Sequence, residues 1–414
     1  MKLKRVIARQ ILDSRGKPTI ECELHTLRNK AIEQVPSGAS TGSYEALELR
    51  DDNKEFHGMG VKKAIKNIKK LESSLTKRSF KSQREFDNFL IKQDSTENKS
   101  NLGANAILAL SLAFARLYSK ELKIPLYKYI SRISRRKASL PVPFLNVING
   151  GVHAEGKLKF QEFMIVPFGK TFQDSIRIGS EIYNSLKEKI SRKFGVSGTR
   201  VGDEGGFAPN LTVRQALNLL VETIEDEGYH NNVKIALDVA ASEIFHNGRY
   251  SVDGKKLTPS TLTRKYQELV SQYPIISIED PFHEDSFSDF AKLHKMIRKT
   301  RIVGDDITVT NILRIEQAIA HKSCNTLLLK VNQIGTLIEA IDAANLAFRN
   351  EWGVMVSHRS GETESTFIAD LAVGLGCGMI KSGAPCRSER TAKYNRLLRI
   401  EEDLKKFAGK KILK

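Results

Sequence analysis

A chain of 414 residues with 40% hydrophobic and 28% charged side chains exceeds one ordinary domain and can bury a large core, which excludes the disordered and fibrous classes. Its 66 Lys+Arg against 48 Asp+Glu leave a formal charge of +18, enough to draw anionic substrates, nucleic acid or acidic surfaces. The excess is spread over VKKAIKNIKK (61–70), SRISRRK (131–137) and the tail KKFAGKKILK. With neither interleaved aromatics nor a recognisable binding module, nucleic acid is not an expected partner.

The N-terminus, MKLKRVIARQILDSRG, has early basic residues but reaches Asp13 and Arg15 without a sustained apolar run. The expectation is a cytoplasmic protein with no export signal. In VKKAIKNIKK, Val61, Ala64, Ile65 and Ile68 form an apolar stripe, so the lysines are the solvated face of a helix. The longest near-apolar stretch, AILALSLAFA (106–115), is ten residues. That falls short of the roughly 18 a membrane span requires, and it reads as buried helix. Short alternating runs and helical patterns fill residues 1–130, and the basic, proline-ended SRISRRKASLPVP follows. The expected division is a first domain over 1–130, a linker over 131–139 and a second domain over 140–414. Cys22, Cys324, Cys377 and Cys386 are scattered without a CxxC pair and read as reduced core residues.

Beyond the linker, short β-rich runs end repeatedly in a polar group. VKIALD ends at Asp238, IISIED carries Glu279, and RIVGD ends at Asp305. TLLLK, WGVMVSH and GMIK end at Lys330, His358 and Lys381, and the successive intervals are 41, 26, 25, 28 and 23 residues. Helical patterns lie between them, such as Phe287, Phe290, Leu293 and Ile297, then Leu337, Ile341 and Leu346. A strand plus helix recurring at about 25 residues suits a parallel βα barrel, whose active site is built at the carboxyl ends of the strands. The long first interval holds HNGRYSVDGKKLTPS, whose Asn-Gly and Asp-Gly pairs mark an excursion outside the barrel. No strand leads into GxGxxG or GxxxxGK[ST], and GLGCG (374–378) reads as backbone packing.

Three successive strands ending in Asp238, Glu279 and Asp305 put three carboxylates around one point, where they must be protonated or share a cation. Oxygen ligands without His or Cys favour magnesium. Lys330 follows in the rhythm, set at the end of three leucines. Near other cations and partly desolvated, its ammonium form is disfavoured, which suits a base that removes a proton next to a carboxylate. Glu162, inside FQEFMIVP, is expected to have a raised pKa and to donate a proton. VGDEGGFAPN places Asp203 and Glu204 in a glycine-rich loop where backbone can approach a substrate. SHRSGET adds Arg359 and Ser360 beside His358 as a phosphate clamp.

Taken in order, LDSRGKPT, VPSGASTG, FQEFMIVP, VGDEGGFAPN, SIEDPF, GDDITVTN, LLLKVNQIGTL, VMVSHRSGETE and IKSGAPCRSER make the chain resemble the enolase family, phosphopyruvate hydratases, over nearly its full length. The resemblance implies an α/β fold, with an N-terminal α+β domain capping a C-terminal TIM-like barrel of ββαα(βα)6 order. It implies interconversion of 2-phosphoglycerate and phosphoenolpyruvate, with two magnesium ions per site; sites of this superfamily use a Lys or His base with one or two such ions. Lys330 then takes the C2 proton, and Glu204, supported by Glu162, protonates the leaving C3 hydroxyl. Asp238, Glu279 and Asp305 hold the first magnesium. Ser40, on a mobile loop, helps to bind the second. Arg359 and Ser360 hold the phosphate and Lys381 the carboxylate, while His153, Gln161 and His358 complete the substrate pocket. A homo-oligomer, dimer or octamer, is implied too. Glu33 and Gln34 stand where small or apolar residues are commoner in that family. The alternatives are a superfamily racemase or lactonising enzyme acting without phosphate, and a non-catalytic binding protein that uses its basic surface and Lys414.

Overall fold

The computed structural model describes residues 1–39, 41–151 and 157–413. Ser40, His153 and Lys414, singled out above, lie outside the described residues.

The chain opens with a meander of β1 (Arg5–Leu12), β2 (Pro18–His25) and β3 (Lys30–Gln34), paired antiparallel in that order. Ile20, Cys22 and Leu24 alternate onto one buried face of β2, the period-two pattern of a strand packed on one side. Glu33 on β3 is also buried, but it is satisfied by Arg116 and by the Ser365 hydroxyl, which donates at 2.6 Å. Gln34 donates to Glu21 at 3.1 Å. Helices α1 (Lys62–Lys77), α2 (Gln83–Asp94), α3 (Ala104–Glu121) and α4 (Leu126–Ser134) follow. α1 buries Ala64, Ile65 and Ile68 and leaves its lysines in solvent, whereas α3 is buried nearly all round. The basic run 131–137 begins within α4, which ends at Ser134, and leaves the helix at Arg135, in the left-handed conformation.

The barrel begins with β4 (Val142–Asn149) and β5 (Glu162–Pro167), then α5 (Phe172–Phe194), α6 (Val213–Asp226) and β6 (Val233–Asp238). The predicted excursion is a small sheet of β7 (Phe245–His246), β8 (Arg249–Val252) and β9 (Lys255–Leu257). Alternation then resumes with α7 (Pro259–Gln272), β10 (Ile275–Glu279), α8 (Phe287–Met296), β11 (Arg301–Gly304), α9 (Ile312–His321) and β12 (Thr326–Leu329). It closes with α10 (Val331–Ile334), α11 (Leu337–Arg349), β13 (Gly353–Ser357), α12 (Phe367–Leu375), β14 (Gly378–Lys381) and α13 (Ser388–Asp403). The barrel order is β4-β5-β6-β10-β11-β12-β13-β14, with β5 antiparallel to both neighbours and the other pairs parallel.

Strand parity sorts the barrel residues. Phe144, Met164, Ala236, Val303, Leu328, Met355 and Met379 fill the lumen, stoppered by Ile412 of the C-terminal tail, while Leu327 and Leu329 belong to the outer core under the helices. Residues two apart share a face. The lumenal set therefore fixes the direction of Glu162 (from Met164), Asp238 (from Ala236), Asp305 (from Val303), Lys330 (from Leu328) and Lys381 (from Met379). All five enter the barrel above an apolar plug, and β5, running the other way, brings its first residue to that end. The three leucines that set off Lys330 are thus two outer residues and one inner one.

Candidate active site

Lys381 sits at the centre of the carboxyl end of the barrel. Its Nζ lies 3.0 Å from Glu162 Oε1, 2.9 Å from Asp238 Oδ2 and 2.9 Å from Glu279 Oε1, and all four side chains are buried. Burial alone pulls the ammonium down, but Asp238, Glu162, Glu279 and Glu204 raise its pKa well above the ordinary lysine value. Desolvation dominates for Glu162 and Glu279 and, with the neighbouring carboxylates, pushes both well above the carboxylate range. That is the expected direction for Glu162.

Lys330 is paired with Asp305. Gln333 Nε2 donates to the other Asp305 oxygen at 2.8 Å, and Thr310 ties the assembly together, accepting from the Lys330 amide at 3.0 Å and donating to Gln333 at 2.8 Å. The expected shift of Lys330 is reversed here. Burial disfavours its ammonium, and Arg359 and Lys381 add to that, but Asp305 and Glu279 outweigh them and raise the pKa. In the sequence, the cations around Lys330 are apparent and the carboxylate in contact with it is not. Asp305 itself lies below the ordinary value because Lys330 overcomes its burial.

Glu204 comes from the loop between α5 and α6. Asn146 Nδ2, on the lumenal side of β4, donates to its Oε2 at 2.8 Å. The following glycines have distinct causes: Gly205 has φ +83°, and a Cβ on Gly206 would stand 2.5 Å from Asn149 Oδ1. His358 Nε2 faces Glu204 Oε1 at 3.7 Å, while Arg390 donates to His358 Nδ1 at 2.5 Å. A ring nitrogen that accepts from a guanidinium carries no proton, so the hydrogen is on Nε2 and the imidazole is neutral. Burial, with Arg390 and both lysines, holds the His358 pKa well below its usual value.

Sequence reasoning missed several residues of this site. Glu45 grips Arg359 through both oxygens, at 2.9 and 3.1 Å, so the expected phosphate clamp is closed by a carboxylate of the N-terminal domain. Fully buried Arg390 donates to the carbonyls of Asp203, Arg359 and Ser360 at 3.0, 2.6 and 2.6 Å, locking the Glu204 loop to the Arg359 loop. Asp280 accepts from the amides of Asp305 and Asp306 at 2.9 and 2.6 Å and fixes the turn after β11. A buried Arg in CRSER and a carboxylate after SIE were visible as letters, but nothing local to them named their partners. With these pairs made, the cavity lined by Gln161, Glu162, Glu204, Asp238, Lys330, Arg359 and Lys381 has a volume of about 10 Å³, room for roughly one water.

The donor set suits a hard cation. Among the described residues, Glu162 Oε2 and Glu279 Oε2 are buried without a hydrogen-bond partner, the orphaned oxygens that a cation would satisfy. Among the described residues, the groups that bring three ligand atoms within 4.8 Å are Glu162–Glu204–His358, Asp280–Asp305–Asp306 and His283–Glu284–Asp285. The expected trio is arranged differently: Asp238 and Glu279 share Lys381, while Asp305 is held by Lys330 and Gln333. Gln161 joins the first pair, its amide 3.5 Å from Asp238 Oδ2.

Comparison with known proteins covers both domains. The family described as Enolase, N-terminal domain, matches residues 3–130, and that described as Enolase, C-terminal TIM barrel domain, matches residues 137–414. A curated protein of Methanocaldococcus jannaschii named Enolase is 54% identical over 417 residues, covering 99% of this chain and 97% of that protein.

Proposed function

The chain belongs to the enolase family, a hydro-lyase family that interconverts 2-phosphoglycerate and phosphoenolpyruvate, and from that premise we propose how its residues divide the reaction. Lys330 takes the proton from C2. Glu204 gives a proton to the C3 hydroxyl, which leaves as water, and Glu162 supports it as a second carboxyl whose burial favours the protonated form. Arg359 and Ser360 receive the phosphate, Lys381 the carboxylate, and Gln161, His153 and His358 line the pocket.

One observation carries this reading. β12 and β5 stand four strands apart in a closed barrel of eight, so Lys330 and Glu162 reach the lumen from opposite walls. Glu204 is held on the Glu162 side, since its partner Asn146 is on β4, next to β5. A base on one wall and an acid on the other suit removal of hydrogen and hydroxyl from opposite faces of one substrate.

Asp238, Glu279 and Asp305 are the residues that would hold magnesium, with Ser40 for a second ion. Bound there, magnesium supplies positive charge for the substrate carboxylate and offsets the carboxylates that now keep Lys330 protonated. The cavity of about 10 Å³ is too small for the substrate, and Arg359, held by Glu45, has to exchange that partner to receive a phosphate. The same reading assigns residues 1–130 to the cap, 131–139 to the linker and 140–414 to the barrel, and has the chain act in the cytoplasm as a homo-oligomer. No helix among the described residues is long and apolar enough to cross a membrane.

The test is the appearance of a conjugated, ultraviolet-absorbing product from 2-phosphoglycerate, dependent on magnesium and absent in Lys330→Ala. Turnover that survives that substitution contradicts the assignment. Sedimentation of the purified protein as a monomer would remove the oligomer from it.

A further inference from the structure

At the opposite end of the barrel, below the apolar plug, lies a cleft of about 540 Å³ that the reaction does not use. Its described lining contains Arg135, Arg136, Lys137, Arg301, Lys406 and Lys411 and not one Asp or Glu. Three remote pieces of chain deliver these cations: the turn after α4, the first residue of β11 and the C-terminal tail. Arg301 donates to Thr326 Oγ1 at 3.4 Å and to the Ile412 carbonyl, and Arg136 lies 4.0 Å over the Phe348 ring. Burial holds Arg301 below its ordinary pKa with no other group offsetting it. Among the described residues, none of the six is paired with a carboxylate within 4.0 Å.

Two ordinary explanations fall short in magnitude. α4 and α12 both end at this cleft, at Arg135 and Gly376. Each helix C-terminus offers roughly half a negative charge, so together they answer about one of six positive charges. A mixed, solvated surface is the other explanation, and the adjoining cleft is one, with Glu401 and Glu402 beside Lys170 and Lys405. The six-cation cleft has no such mixture. Its volume falls within the roughly 300–1,000 Å³ of small-ligand pockets. None of its lining residues is aromatic, so it offers no platform on which nucleic-acid bases could stack.

We propose that this cleft is an anion site separate from the active site, which takes a compact, multiply charged phosphate compound: a free polyphosphate or the polyphosphate portion of a nucleotide. Its cations lie beyond the plug from Lys330 and the carboxylates, so occupancy needs neither magnesium nor the substrate pocket.

The experiment titrates the intact, metal-free protein with inorganic tripolyphosphate, and separately with ATP, by calorimetry at low and high salt. Binding is expected in the parent protein, weaker at high salt, and preserved in Arg359→Ala. Lys137→Glu/Lys411→Glu, which alters two exposed side chains, is expected to weaken it by at least about tenfold while 2-phosphoglycerate turnover stays within about twofold. ATP equal to tripolyphosphate assigns the phosphate chain alone, and tighter ATP assigns a nucleotide. Binding unaltered in the double variant, binding lost in Arg359→Ala, or displacement of tripolyphosphate by a tighter single-stranded RNA overturns the proposal. Arg301→Met is the second variant, expected to weaken binding with unchanged turnover.

Discussion

At the carboxyl end of the barrel, buried charges face one another: Lys381 lies among Glu162, Asp238 and Glu279, Lys330 on Asp305, and Arg359 on Glu45, and the cavity beside them is about 10 Å³. At the amino end, six cations surround about 540 Å³ with no carboxylate among the described lining residues. A plug of lumenal side chains including Phe144, Met164, Leu328 and Met379 keeps the two apart. The two ends are arranged for different exchanges. Each upper cation already has a carboxylate partner, so a bound substrate would exchange with pairs that exist, while Glu162 Oε2 and Glu279 Oε2 stay open to a cation among the described residues. The lower charges have no carboxylate partner among the described residues, which is the place the proposed anion would take.

Breaking the upper end is expected to produce the largest effects. Lys330→Ala should lower turnover by about 10⁴-fold and Glu204→Gln by about 10³-fold, near the upper range of general acid–base contributions, measured as product absorbance at saturating substrate. Lys381→Met leaves Glu162, Asp238 and Glu279 around a missing cation. In metal-free protein it should cost about 3–5 kcal/mol in denaturant unfolding, part of it recovered at low pH as the carboxyls protonate. The matching change at the lower end, Lys411→Met, should fall within about 0.5 kcal/mol, because no partner is orphaned. Equal losses at the two ends would erase the contrast.

A smaller effect tests a buried acid at neither end. Asp87, between the cap and the barrel, accepts from Gln83 at 2.9 Å and from the Ile338 amide at 3.0 Å, and burial pushes its carboxyl from an ordinary 3.8 up to about 7. The folded form then holds the proton more tightly than the unfolded one. Its stabilising contribution is present below about pH 4 and is lost as pH rises toward about 7. The slope from this group is at most about 1.4 kcal/mol per pH unit, and Asp87→Asn should flatten that part of the curve.

Much of this was legible in the sequence for a local reason. A strand alternates at period two and the barrel repeats every strand and helix, so the positions of Asp238, Lys330 and Lys381 follow from short runs of letters. FQEFMIVP likewise announced a desolvated Glu162. Partnership was not legible, because it is made at long range. Glu45 and Arg359 are 314 positions apart, and Arg390 reaches Asp203 across 187. The ionisation of Lys330 failed for the same reason: TLLLK shows the apolar wall and hides Asp305. The basic connector and tail were visible as separate runs, but only folding around the lower rim brings Lys137 and Lys411 into one cleft.

Lys330 and Glu204 are assigned to opposite sides of one substrate, and proton exchange separates their roles most directly. In deuterated buffer with magnesium, Glu204→Gln should still exchange the C2 hydrogen of 2-phosphoglycerate while forming almost no phosphoenolpyruvate, and Lys330→Ala should do neither. C2 exchange that persists in Lys330→Ala and vanishes in Glu204→Gln would contradict that division of roles.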